Sequence, residues 1–131
     1  MFKNNFDAVS DSIVEAASID GCSNLKSISL PETLTAIGTA AFQSCAKLEE
    51  INIPNSVEEL GLRAFLGCIS LTKISLSDSI TEIKESTFSE CTGLAEVKLP
   101  NALLKISSYS FSNCSALKEI TLPDTITATE E

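Results

Sequence analysis

The residues of this sequence best equipped for chemistry are its cysteines: Cys22, Cys45, Cys68, Cys91 and Cys114. A thiol can ligate zinc, close a disulfide or attack as a thiolate. Zinc ligation needs close pairs of the C-x-x-C kind, and here every cysteine stands 23 residues from the next. Nucleophilic attack needs a base to draw off the proton, and the chain has no histidine. That same zero excludes a Ser-His-Asp triad, an H-E-x-x-H zinc site and an imidazole pH switch. Among the carboxylates, Glu59 and Glu82 are also 23 residues apart and invite comparison with a paired-acid hydrolase. Such a pair works in a concave, partly apolar pocket, which a regular repeat flank does not offer. A calcium loop of the D-x-D-x-D-G kind is absent. The expectation is a protein with no catalysis, no cofactor and no metal.

The spacing of the cysteines belongs to the elements around them. The same 23-residue step links Leu25, Leu48, Leu71, Leu94 and Leu117. It links Ile28, Ile51, Ile74, Val97 and Ile120, then Leu30, Ile53, Leu76, Leu99 and Leu122. Pro31, Pro54, Pro100 and Pro123 share a column in which Ser77 fills the gap. Phe42, Phe65, Phe88 and Phe111 each precede a cysteine by three residues, behind a small Ala41, Ala64, Thr87 or Ser110. One unit reads C-x-x-L-x-x-I-x-L-P-x-x-L-x-x-I-x-x-x-(A/S/T)-F-x-x. Strand alternation sends Ile28 and Leu30 inward and Ser27 and Ser29 outward. Stacked units then pair these strands in parallel, roughly 4.8 Å apart. Proline has no N–H and ends the pairing, and the second L-x-x-I turns back along the coil.

The stretch L-x-x-I-x-L is the leading half of a leucine-rich repeat, and the 23-residue unit falls in the usual range of about 20–29 residues. With the proline, the second L-x-x-I and the A-F before the cysteine, the unit resembles the BspA-like leucine-rich repeats common in bacterial and protist surface proteins. The resemblance runs from about Val14 to Ile126. It implies a repeat solenoid of short parallel strands, turns and short helical segments. It also implies an interaction module on the cell surface.

The domains expected are an N-terminal capping half-repeat over 1–21 and 23-residue repeats over 22–131, about five units with the last incomplete. In the cap, Phe2, Phe6, Val9, Ile13 and Ala17 form a helical stripe, predicting a helix over about 5–17. At the other end, the strand at 117–122 is expected to be an edge, blunted by Lys118, Glu119 and the acidic Glu130 and Glu131. It is read as a tolerated edge or a cut through a longer array, and alternatively as the seam of a homodimer or self-assembling unit.

Stacking brings successive cysteines about one strand spacing apart, at the low end of the disulfide range. Their side chains point the same way, however, and five is an odd number. Because free cysteine packs as a small hydrophobe, a reduced internal ladder is expected.

The outward columns are the candidate binding surface. Lys26, Glu49, Glu50, Asn52, Lys73, Glu96 and Lys98 are the residues chosen on it. Glu50, Lys73 and Glu96 alternate in sign, which predicts cross-strand ion pairs of about 0.2–1 kcal/mol each. A second patch is Leu62, Arg63, Leu66 and Ile69, apolar where other units are mostly small or polar. The partner expected is a protein.

The chain has 131 residues, 44% hydrophobic and 21% charged, which suits one packed domain. Its 18 acidic residues outnumber 9 basic ones, for a net charge of -9, and this argues against nucleic acid. No apolar run approaches the roughly 18 residues of a membrane span. Residues 2–11 are polar and charged, without the apolar stretch of about 7–15 residues that marks a secretory signal. Taken literally the chain is cytoplasmic, where unpaired thiols persist, whereas the resemblance implies the surface.

Overall fold

The computed structural model describes residues 24–129. The cap expected over 1–21 lies outside them. Each coil contributes two short strands. The first set is β1 (Ser27–Ser29), β3 (Glu50–Asn52), β5 (Lys73–Ser75) and β7 (Glu96–Lys98). The second is β2 (Ala36–Ile37), β4 (Glu59–Leu60), β6 (Glu82–Ile83), β8 (Lys105–Ile106) and β9 (Ala128–Thr129). Pairing is parallel and in the 23-residue register: Ile28 lies opposite Ile51, Ile74 opposite Val97, and Ile83 opposite Ile106. The strands are short because a single inward residue sits between two outward ones. In β3 and β5 the burial pattern is exposed, buried, exposed.

A turn follows each proline, with Leu34 and Val57 N–H donating to the Pro31 and Pro54 carbonyls at 3.1 and 3.0 Å. Ser77 replaces proline in the third coil and is buried. Its hydroxyl reaches the Val57 carbonyl at 2.8 Å and accepts the Ser79 N–H at 3.0 Å, so the buried oxygen is satisfied.

The A-F stretch closes each coil by consecutive turns, and among the described residues no α-helix forms there or elsewhere. The expected short helical segments are corrected by two features. First, alternate N–H groups of this stretch are spent on the next coil: Phe42, Phe65 and Phe88 donate to the carbonyls of Ala64, Thr87 and Ser110 at 2.8, 2.9 and 2.9 Å. Second, two residues per coil are left-handed, at Ala40 and Ser44, Arg63 and Gly67, Ser86 and Glu90, and Tyr109 and Asn113. Left-handed residues cannot propagate a right-handed helix.

The core is the set of inward columns. Phe42, Phe65 and Phe88 are completely buried, and with Phe111 they form one stack of rings 5.4, 5.5 and 5.4 Å apart. Leu48, Leu71 and Leu94, and Leu34, Val57, Ile80 and Leu103, are also completely buried. No coil could bury these alone, so each interface between coils is a unit of stability. Gly61 marks a close approach between two coils: a Cβ there would meet the Thr39 nitrogen at 2.4 Å and the Gly38 carbonyl carbon at 2.5 Å.

Two departures from the expected regularity stand out. The edge strand predicted at 117–122 does not form, although the second strand of that coil, β9, pairs with β8. Leu117 and Ile120 are only half-buried, since no further coil among the described residues covers them, and half the burial leaves the segment unpinned. The ladders also lapse between the second and third coils. Among the described residues β1 pairs only with β3 and β5 only with β7; likewise β2 pairs with β4, and β6 with β8.

Candidate functional site

The first strand set forms a shallow concavity of about 750 Å³. It arises because outward residues on stacked strands repeat at the same two positions per coil. One position supplies Ser27, Glu50, Lys73 and Glu96; the other supplies Ser29, Asn52, Ser75 and Lys98. Between them run Ile28, Ile51, Ile74 and Val97, which pack inward against the core. Of the residues chosen from the sequence, Glu50, Asn52, Lys73, Glu96 and Lys98 line this hollow. Lys26 and Glu49 are exposed but lie outside its lining. Sequence reasoning passed over Ser27, Ser29 and Ser75, whose outward phase in the same columns was the available signal.

The expected ion pairs along Glu50, Lys73 and Glu96 do not close. Among the described residues the ion pair that forms joins Lys84 and Glu59, on the second strand set. Lys73 and Glu96 are register partners, yet their charges stay apart. An exposed pair is worth at most about 1 kcal/mol, too little to hold two flexible side chains in one geometry. The walls of the hollow therefore carry charges of both signs not paired with one another.

The second patch is dispersed. Leu62, 36% exposed, lines a separate groove of about 350 Å³ with Ala36, Gly38, Glu59 and Lys84. Arg63 and Ile69 are exposed and Leu66 is half-buried, but none of the three lines that groove. The pairing of Glu59 with Lys84, and the Ser107 hydroxyl donating to Glu82 at 3.5 Å, give the two columnar carboxylates separate partners.

The cysteines are ordered by the turn stretch. The thiols of Cys68, Cys91 and Cys114 are free and buried. Each donates to the carbonyl of the phenylalanine one coil back, namely Phe42, Phe65 and Phe88, at 3.1, 3.1 and 3.0 Å. Burial pushes the Cys68 thiol up to about 12, only partly opposed by the backbone N–H bonded to it. It pushes Cys91 and Cys114 up as well. Such thiols are inert at neutral pH. The reduced ladder holds for these three, but Cys45 is a correction: it is disulfide-bonded, to a partner outside the described residues. An odd number of thiols forces at least one to stay free but does not forbid a disulfide among the others. Among the described residues no three potential ligands gather to hold a metal ion. None of their helices is long and apolar enough to cross a membrane.

A stack of parallel, single-register coils with an inward leucine and isoleucine ladder and a polar outer strand face is a leucine-rich repeat. The family model for the BspA type leucine rich repeat region matches residues 12–131 in six copies. The chain belongs to that family. Residues 12–21, expected to be cap, fall inside the match. Among solved structures, a leucine-rich repeat protein of T. pallidum is 29% identical, with a TM-score of 0.82 over 92% of this chain and 57% of that one. A leucine-rich repeat protein of Bacteroides ovatus is 27% identical, with a TM-score of 0.56 over 92% and 43%. A leucine rich cell surface protein of Faecalibacterium prausnitzii, 23% identical with a TM-score of 0.59 over 92% and 44%, shares the fold. The chain thus spans 57% or less of each of these proteins. No functionally curated protein matches it.

Proposed function

We propose that the chain is a non-catalytic interaction module that binds a protein partner on its concave strand face. The observation that carries this reading is the hollow itself. It runs across all four strands of the first set, and its charges at Glu50, Lys73, Glu96 and Lys98 are free to pair with a partner. Mixed charges suit recognition of a protein by complementarity rather than of nucleic acid, and they offer no catalytic group. The family resemblance favours a cell-surface setting. The test is capture of a partner by the native chain and by a Glu50→Lys, Lys73→Glu double variant. Loss of capture in the variant is expected. Capture that survives the reversal removes the strand face as the site and favours the region of Leu62, Arg63, Leu66 and Ile69.

A second reading, self-association through the C-terminal edge, is favoured by one specific observation. Phe111, Leu117 and Ile120 are half-buried and Leu122 is 47% exposed at that end. Light scattering over a concentration series distinguishes the two. A mass that stays monomeric at high concentration dismisses self-association.

A further inference from the structure

The lapse between the second and third coils is confined to two of the three stretches of the coil. At the first interface, the N–H groups of Glu49, Glu58 and Gly61 donate to the Lys26, Thr35 and Ile37 carbonyls at 2.8, 2.8 and 2.7 Å. At the third interface, Ala95, Leu104 and Ser107 donate to Thr72, Thr81 and Ile83 at 2.9, 2.8 and 2.9 Å. At the second interface the equivalent donors are Thr72, Thr81 and Lys84, and among the described residues none of them closes a ladder bond. The turn stretch, by contrast, is intact there. Arg63, Phe65 and Gly67 donate to Glu85, Thr87 and Ser89 at 3.1, 2.9 and 2.8 Å, and the Phe65 and Phe88 rings remain stacked.

What crosses the lapsed side is made of side chains. The Ser77 hydroxyl reaches the Val57 carbonyl, the Ser79 hydroxyl donates to the Asn55 carbonyl at 2.9 Å, and Lys84 pairs with Glu59. Ser77 is also the one break in the proline column. We infer that the solenoid carries a hinge at this interface. The turn stretch with its ring stack is the axis. The Ser77 and Ser79 hydroxyls and the Glu59–Lys84 ion pair are the latch on the opening side.

The hinge has a consequence for the concave face, whose walls fall on both sides of it. Ser29, Glu50 and Asn52 belong to the first body; Lys73, Glu96 and Lys98 belong to the second. Bending at the axis changes the separation of Glu50 and Lys73 while each body keeps its own ladders. A fixed stack presents one spacing of charges, and a hinged one presents a range. The hinge is a property of the chain alone and stands whether or not the concave face is the binding site.

The test is residue-resolved amide hydrogen exchange on the full chain, where local opening is read directly. The Thr72, Thr81 and Lys84 amides are expected to exchange at least roughly tenfold faster than their counterparts one coil before and one coil after. In Lys84→Ala the same three amides are expected to speed up further while Glu49, Glu58 and Gly61 keep their native rates. Equal protection at the three interfaces in the native chain overturns the inference. So does a Lys84→Ala variant in which the first interface loosens as much as the second.

Discussion

Replacing Phe88 by alanine removes the ring at the centre of the stack. Phe88 is completely buried, with Phe65 at 5.5 Å on one side and Phe111 at 5.4 Å on the other. A buried Phe→Ala change costs about 3–5 kcal/mol, from lost transfer energy and the cavity left behind. The upper half of that range applies here. Both ring partners are lost, each pair is worth roughly 0.5–1.5 kcal/mol, and neighbours held by backbone bonds to adjacent coils cannot collapse inward. Against a typical stability of about 5–15 kcal/mol this is a large fraction, and it lowers the thermal midpoint by roughly 10–25 °C. Phe111 supplies the internal control, because it is only half-buried and, among the described residues, stacks on Phe88 alone. Circular dichroism melts of native, Phe88→Ala and Phe111→Ala chains make the comparison. The order expected is a large loss for Phe88→Ala and a smaller one for Phe111→Ala. A Phe88→Ala chain that melts with the native protein, or no lower than Phe111→Ala, refutes the stack as the main core element.

Other substitutions probe the backbone and the thiols. Glu90 holds φ at 62° in a column where the equivalent residue of the preceding coil is Gly67, so Glu90→Gly should raise stability by about 0.5–1 kcal/mol, measured by urea unfolding. Gly61→Ala should lower it by about 1–3 kcal/mol in the same assay, because the new Cβ meets backbone rather than a movable side chain. Thiol titration should find Cys68, Cys91 and Cys114 unreactive in the native chain and reactive in denaturant. Their pH effect has a definite sign. The folded pKa is raised, to about 12 for Cys68 from 9.0 in the free group, so these thiols favour folding fully below about pH 9. That contribution is lost as pH rises from 9 towards 12, and the urea midpoint should fall over that window.

Much of the fold was legible because one period carried every core position. The Phe, Leu and Ile columns went inward as their spacing required, and the register of Ile28 with Ile51 is that period restated in space. The strand face was legible for the same reason, since outward residues in an alternating strand have nowhere else to go. What the period could not reveal were differences between coils that share it. The lapse at the second interface depends on backbone bonds, which the sequence marks only faintly through Ser77 in place of proline. The failed strand at 117–122 depends on what covers it, a property of neighbours and not of its own Leu-x-x-Ile-x-Leu pattern. The ion pairs expected along Glu50, Lys73 and Glu96 failed because exposed charges are weakly held, whereas Glu59 and Lys84, one coil apart but two columns offset, met instead. For Cys45 the column predicted a reduced thiol, and the residue is disulfide-bonded.

The strand face is tested most directly by measuring partner affinity for two charge swaps on otherwise identical chains. One swap, Glu50→Lys with Lys73→Glu, inverts the walls of the concave face. The other, Glu59→Lys with Lys84→Glu, inverts a pair on the second strand set and preserves its attraction. Titration calorimetry with the captured partner should show at least roughly tenfold weaker binding for the first swap, about 1.4 kcal/mol, and native affinity for the second. Native affinity for the first swap and a loss for the second would contradict binding on the strand face.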